Sequence, residues 1–166
     1  MKIKVASRAE IISKASSGFE DATMIISISC TKDKEPYALK RAMTDEKSNV
    51  AHVEFFHFDD IDKEYHSIGL NSISEEDAKR IVKTVKEWAD KVDTIYVHCD
   101  AGVSRSAGVA AAISKVLTGD DEYFYTCGLY VPNPLCYRKV LNAFGLIIKQ
   151  KDYMKLFESE ILDMIF

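Results

Sequence analysis

Residues 94–108 read Thr-Ile-Tyr-Val-His-Cys-Asp-Ala-Gly-Val-Ser-Arg-Ser-Ala-Gly, and this stretch decides the fold class. Thr94 to Val97 is a short β-branched and aromatic run, the mark of a buried strand. From Ser106 to Leu117 the chain is small and apolar almost all round, through Ala107, Val109, Ala110, Ala111, Ala112, Ile113 and Val116. That segment reads as a helix buried in a core, with Gly119 closing it. Between strand and helix stands one tight turn holding Cys99 and, six positions on, Arg105. In an open α/β sheet the crevice beyond a strand's carboxyl end is the usual ligand site, and a helix start there offers unpaired N–H groups and the positive end of a dipole. Helix and guanidinium together are expected to favour the nucleophilic thiolate form of Cys99. Gly102 lets the backbone curl so that successive N–H groups converge on an anion, and Arg105 offers a planar two-pronged grip on oxyanion oxygens.

Working outward, the chain alternates strand and helix signals without repeats or a linker. Ile3 to Val5 reads as a strand, Ser7 to Ser16 as a helix capped by Ser7 with Glu10 three residues later, and Met24 to Ser29 as a buried strand. Residues 31–49 are polar, with Pro36 near their start, and read as a loop or irregular helix. Val50 to Phe58 resumes strand character and runs into Asp59-Asp60-Ile61-Asp62. Ser74 with Asp77 starts a further helix, whose Ala78, Ile81, Val82, Val85 and Trp88 share one face and place Trp88 in the core. Tyr137 to Ile148 and Asp152 to Phe166 read as two last helices. The composite is α/β: a central, mostly parallel sheet flanked by helices on both faces.

The 166 residues, 47% hydrophobic and 29% charged, suit one domain spanning 1–166. A net charge of −4 provides no basic field for nucleic acid or an anionic membrane, so neither is an expected partner. No apolar run approaches a membrane span, and MKIKVASRAE lacks a signal-peptide core, so a cytoplasmic setting is expected. Cys30, Cys99, Cys127 and Cys136 are widely spaced and read as free thiols. Zinc is not expected, because His98 and Cys99 are adjacent and no other His or Cys stands at ligand spacing from them.

His98, Cys99, Arg105 and Ser106 reproduce the His-Cys-x5-Arg-Ser signature of the cysteine-dependent protein tyrosine phosphatases. The form Ala101-Gly102-Val103-Ser104-Arg105-Ser106 after Val97-His98 most resembles the dual-specificity branch. Val131-Pro132-Asn133, followed by Tyr137, Val140 and Leu141, is similar to the Pro-Asn segment that opens a late helix there. The resemblance covers roughly residues 50 to 145. It implies a protein tyrosine phosphatase-like fold, a phosphocysteine intermediate on Cys99, and phosphate held by Arg105 and the backbone of Asp100, Ala101, Gly102, Val103 and Ser104. It also implies a Ser106 hydroxyl that eases thiolate release and a His98 that supports the loop and the thiolate. No cofactor and no metal is implied. From the residues alone, His98 could equally be a satisfied core histidine, and Cys99 a buried thiol.

Cleavage of a phosphate ester also needs a proton for the leaving oxygen. The resemblance puts an aspartic acid on a neighbouring loop, and Phe58-Asp59-Asp60 aligns best with Asp60 as that acid and Asp62 as the alternative. Asp60 stands 39 positions before Cys99, longer than family spacing, so His66 to Ser72 reads as an insertion. Three aspartates in a row of four could also be a solvated turn. Ser104 reads as a loop-tightening residue and Asp100 as an outward-facing one whose charge opposes anion approach. The signature holds no lysine, which turns expectation from phosphoinositides to phosphorylated proteins or peptides: phosphotyrosine first, phosphoserine and phosphothreonine after it. A catalytically weak phosphate-binding module that recognises phosphoproteins is the alternative. Oligomeric state is not legible.

Overall fold

The computed structural model describes residues 1–62 and 69–148. Its elements follow as β1 (Lys2–Ser7), α1 (Arg8–Ser17), β2 (Thr23–Ser29), α2 (Tyr37–Ala42), a 3-10 turn (Glu46–Ser48), β3 (Val50–His57), α3 (Glu75–Trp88), β4 (Thr94–Cys99), α4 (Arg105–Thr118), α5 (Tyr123–Thr126) and α6 (Pro134–Ala143). The four strands form one sheet in the order β1-β4-β2-β3, with every pairing parallel. Parallel pairing requires crossovers, and the helices provide them on both faces, as the α/β reading expects.

Alternation along β2 divides the core. Met24, Ile26 and Ile28 join Ile95 and Val97 of β4 in the larger cluster, beneath α3, α4 and α6. Ile25 and Tyr96 point the other way, against Ala6, Ile11, Leu39 and Val53 under α1 and α2. All residues of β2 and β4 are buried, as expected for inner strands covered on both sides. β1 and β4 are neighbours, yet the helices that follow them lie on opposite faces. The carboxyl ends of these two strands are therefore the topological switch point, the place where α/β sheets commonly bind ligands.

Local signals account for most element ends. Ser7 and Glu10 form a reciprocal capping box on α1, and Ser74 and Asp77 form one on α3. Gly119 closes α4 as expected. The polar stretch 31–49 yields the short α2 directly after Pro36. α6 begins before the expected Tyr137, because the Asn133 side chain accepts from the Cys136 N–H and Pro134 occupies the first turn; it ends at Ala143 rather than Ile148. Trp88 sits at the rim of the core rather than within it, stacked on His52 with ring centroids 4.9 Å apart. The expected helix over 152–166 lies outside the described residues, as does the 66–68 part of the expected insertion. All four cysteines are free. No helix among the described residues is long and apolar enough to cross a membrane.

α4 is the central helix, buried without interruption from Arg105 to Ile113. Its close approach to the start of α6 depends on Gly108, where a Cβ would stand 2.4 Å from the Asn133 carbonyl oxygen. Alanine normally gains about 1 kcal/mol over glycine in a helix interior. Here the clash is with backbone, and overpacking of that kind costs roughly 1–3 kcal/mol. Gly108→Ala is therefore expected to destabilise the protein, read as a lower urea midpoint; an equal or higher midpoint would contradict the packing described.

Candidate active site

The turn from Cys99 to Arg105 leaves the end of β4 and enters α4. Gly102 has φ 71°, and a Cβ there would fall 2.5 Å from the Ser7 nitrogen, so only glycine lets the turn nest against the end of β1. The loop's carbonyls are held from outside. Asp100 O accepts from the Arg8 N–H at 3.1 Å, Val103 O from the Val131 N–H at 3.0 Å, and Ser104 O from the Asn133 N–H at 3.0 Å. Among the described residues, no acceptor meets the N–H groups of Ala101, Gly102, Val103 or Ser104. Ser104 occupies the N-cap position of α4, yet its hydroxyl donates to Asp60 Oδ1 at 2.8 Å and caps nothing. The first turn of the helix thus keeps its uncapped donors at the same place.

Cys99 lies on the floor of this loop, 2% exposed, with its Sγ 3.1 Å from the Ser106 hydroxyl. Arg105 is 4% exposed. Its Nη1 donates to Phe58 O at 2.8 Å and to Cys30 Sγ at 3.4 Å, and its Nη2 to Asp100 Oδ2 at 2.5 Å. Its Nε is buried with no partner. Burial opposes the Arg105 charge, but the Asp100 hydrogen bond and the nearby cysteines outweigh it and raise the pKa further.

The three aspartates have separate fates. Asp59 is buried and accepts from the Thr31 N–H at 3.1 Å, the Thr31 hydroxyl at 2.7 Å and the Asn71 N–H at 2.8 Å. Burial raises its pKa, and these donors more than reverse that, holding it below the ordinary range. Asp59 is a loop staple. Asp60 reaches the turn between Cys99 and Arg105, where Oδ1 accepts from Ser104 Oγ and from Asn133 Nδ2, each at 2.8 Å. Asp62 is exposed.

Sequence reading placed Asp100 facing outward; the structure corrects this. Its carboxylate folds back onto Arg105 because the buried guanidinium needs a counter-charge and the loop supplies one within reach. Asn133, noted only for its family likeness, joins three parts: it caps α6, its N–H meets Ser104 O, and its amide meets Asp60 and, at 3.1 Å, the Ile61 carbonyl. Arg8 and Cys30 were missed, since nothing local marks them; each reaches the site only because the ends of β1 and β2 flank β4. Cys30, Asp33 and Asp100 bring ligand-type atoms within 4.8 Å of one another, but Arg105 already lies against two of them and disfavours a cation there.

No family model and no curated protein matches the chain. Among solved structures, Tk-PTP in the active form is similar at 14% identity and a TM-score of 0.42, covering 96% of this chain and 90% of that one. A mutant form of Tk-PTP aligns at 12% identity and TM-score 0.43, covering 98% and 93%. The core catalytic domain of the PP-IP phosphatase SIW14 from S. cerevisiae, in complex with citrate, aligns at 14% and 0.45, covering 98% and 83%. Likenesses so distant decide nothing about the chemistry, which rests on the site's own geometry.

His98 lies behind the loop, fully buried, with Nε2 2.7 Å from Ser27 Oγ and Nδ1 3.4 Å from Cys99 O. Burial lowers its pKa to about 4, so it is neutral at pH 7. Unfolding restores a value near 6.5, and the unfolded chain then binds the extra proton. Stability is thus unaffected above about pH 6.5 and falls as pH drops from there toward 4, by a total of about 3 kcal/mol. Urea unfolding at pH 7 and pH 4.5 is expected to show this loss in the wild type and a smaller one in His98→Gln. Equal losses in the two proteins would remove His98 from the account.

Proposed function

We propose that the protein is a cysteine-dependent phosphatase that hydrolyses phosphotyrosine, and phosphoserine or phosphothreonine as well, through a phosphocysteine intermediate. The observation that carries this reading is the buried, unpartnered Nε of Arg105 beside Cys99 and a run of unpartnered loop N–H groups. A buried N–H without an acceptor is costly, and an oxyanion held over the sulfur would satisfy it. The Cys99 thiolate attacks phosphorus in line, forming the S–P bond as the P–O bond to the leaving group breaks. Arg105 and the loop N–H groups hold the non-bridging oxygens, and Asp60 gives its proton to the departing alkoxide or phenolate. Water then attacks phosphorus and yields its proton to Asp60, while the thiolate leaves with help from the Ser106 hydroxyl. Neither step calls for a metal ion.

Support for a protein substrate comes from the rim. Positions 100, 101, 103 and 104 carry no lysine that would favour a polyphosphorylated headgroup. Val131, 71% exposed, hydrogen-bonds through its N–H to Val103 and gives the loop an apolar edge suited to an aryl or peptide substrate.

Turnover of p-nitrophenyl phosphate and of a phosphotyrosine peptide tests the proposal. Cys99→Ser is expected to abolish turnover while still binding orthovanadate, and Arg105→Lys to lose both, since a point charge cannot replace a two-pronged donor. Activity retained in Cys99→Ser would end the reading. A chelator is expected to leave the rate unchanged; its loss in chelator and return with zinc or magnesium would substitute metal-assisted hydrolysis.

For the acid, Asp60→Asn is expected to lower kcat by roughly 10²–10⁴-fold with phosphotyrosine and less with a more acidic leaving group. The basic limb of its pH profile should flatten. Asp62→Asn serves as the comparison, expected to change the rate little; an exchange of behaviours between the two would move the acid to Asp62. A wild type that binds vanadate and turns over nothing would make this a phosphate-binding module instead.

A further inference from the structure

Arg105 has two usable edges, an end edge formed by Nη1 and Nη2 and a side edge formed by Nε and Nη2. The end edge is taken. Cys30 Sγ lies 3.4 Å from Nη1, Asp100 Oδ2 lies 2.5 Å from Nη2, and sulfur and carboxylate are 3.2 Å from each other. These three contacts close a circuit across the end of the guanidinium. Nε remains buried and without a partner, so the side edge is the one left for a ligand.

The circuit extends one residue further. Asp100 Oδ1 stands 3.9 Å from Arg8 Nη1. Arg8 is itself anchored, with Nη1 donating to Ser29 Oγ at 3.0 Å, Nη2 to Lys34 O at 2.6 Å, and its backbone N–H to Asp100 O at 3.1 Å. Asp100 thus lies between two guanidiniums, the buried one of Arg105 and the partly exposed one of Arg8. Burial opposes its charge, but the hydrogen bonds from Arg105 and Cys30 and the attraction of both arginines hold its carboxyl below the usual range. Cys30 has the opposite tendency: burial and the Asp100 hydrogen bond raise its pKa, which keeps it a thiol able to donate to the carboxylate.

We infer that Asp100 is a positioning residue for Arg105: supported by Cys30 and Arg8, it clamps the end edge so that the Nε and Nη2 edge faces the phosphoryl oxygens. This rests on the phosphatase reading and deepens it. It also assigns Asp100 a sign of effect opposite to that of a bare negative charge near an anion site. A bare charge repels phosphate, so its removal would tighten binding. A clamp orients the one guanidinium that holds phosphate, so its removal weakens binding. Arg8 cancels the repulsion that the clamp would otherwise exert, and acts only through Asp100.

The experiment measures orthovanadate binding by calorimetry, which needs no turnover, alongside kcat and KM for p-nitrophenyl phosphate. Asp100→Asn keeps the shape and loses the charge-assisted bond; vanadate affinity and kcat/KM are expected to fall roughly 10- to 100-fold. Arg8→Gln, a partly exposed side chain, is expected to weaken vanadate binding several-fold on its own and to add nothing in the Asp100→Asn background. That absence of additivity separates action through Asp100 from general damage to the loop, which would add. Tighter or unchanged vanadate binding in Asp100→Asn, with a wild type that binds and turns over, overturns the inference and leaves the phosphatase reading intact. Equal losses from Arg8→Gln in both backgrounds would place Arg8 on the phosphate itself and overturn its assigned role. A wild type with neither vanadate binding nor turnover overturns the phosphatase reading and the inference with it. Should Asp100→Asn fail to fold, Asp100→Ser takes its place in the same pairing with Arg8→Gln: a loss from Arg8→Gln that does not add supports the circuit, and unchanged or tighter vanadate binding in either single variant refutes it.

Discussion

A guanidinium buried to 4% exposure is the constraint around which the ligand end of this protein is arranged. An ionised group taken out of water costs several kcal/mol unless charge and hydrogen bonds replace its hydration. Arg105 finds those replacements on three different strand ends: the Phe58 carbonyl after β3, the Cys30 sulfur after β2, and Asp100 directly after β4. One side chain thereby ties together the carboxyl edge of the sheet. Its Nε is left unmatched, where an anionic ligand would complete the set.

Residues that normally serve one helix serve the loop as well. Ser7 caps α1 in the ordinary way, and the same position at the end of β1 presses on Gly102. Asn133 caps α6 while holding Ser104 and Asp60. Ser104 departs from the local rule, giving its hydroxyl to the acidic loop instead of to its own helix. Such departures concentrate where function competes with local stability. Here the consequence is that the loop carrying Asp60 and the turn from Cys99 to Arg105 are tied into one unit, with α6 as their common support.

Much of the architecture was legible in one dimension. Strands β2, β3 and β4, the capped helices α1 and α3, and the buried helix α4 all follow from periodicity and caps, because these are short-range effects written within a few residues. Cys99, Gly102, Arg105 and Ser106 were legible for the same reason: a loop between a strand and a helix brings its own residues together whatever the rest of the chain does. Asp60 was legible as one of three aspartates, though not by composition alone. What separates it from Asp59 is the direction in which each side chain leaves the end of β3, one toward Thr31 and one toward Ser104.

What the sequence determined by itself is therefore the α/β alternation and the tight turn from Cys99 to Arg105, both products of local backbone chemistry. Only the tertiary structure decided the strand order, which sets the ends of β1 and β2 on either side of β4 and so brings Arg8 and Cys30 to residues far from them in the chain. It also decided the orientation of Asp100. In sequence that carboxylate is a surface charge beside a loop; in the folded protein a buried arginine that needs a counter-charge stands next to it, and the energy of leaving that charge uncompensated turns it inward.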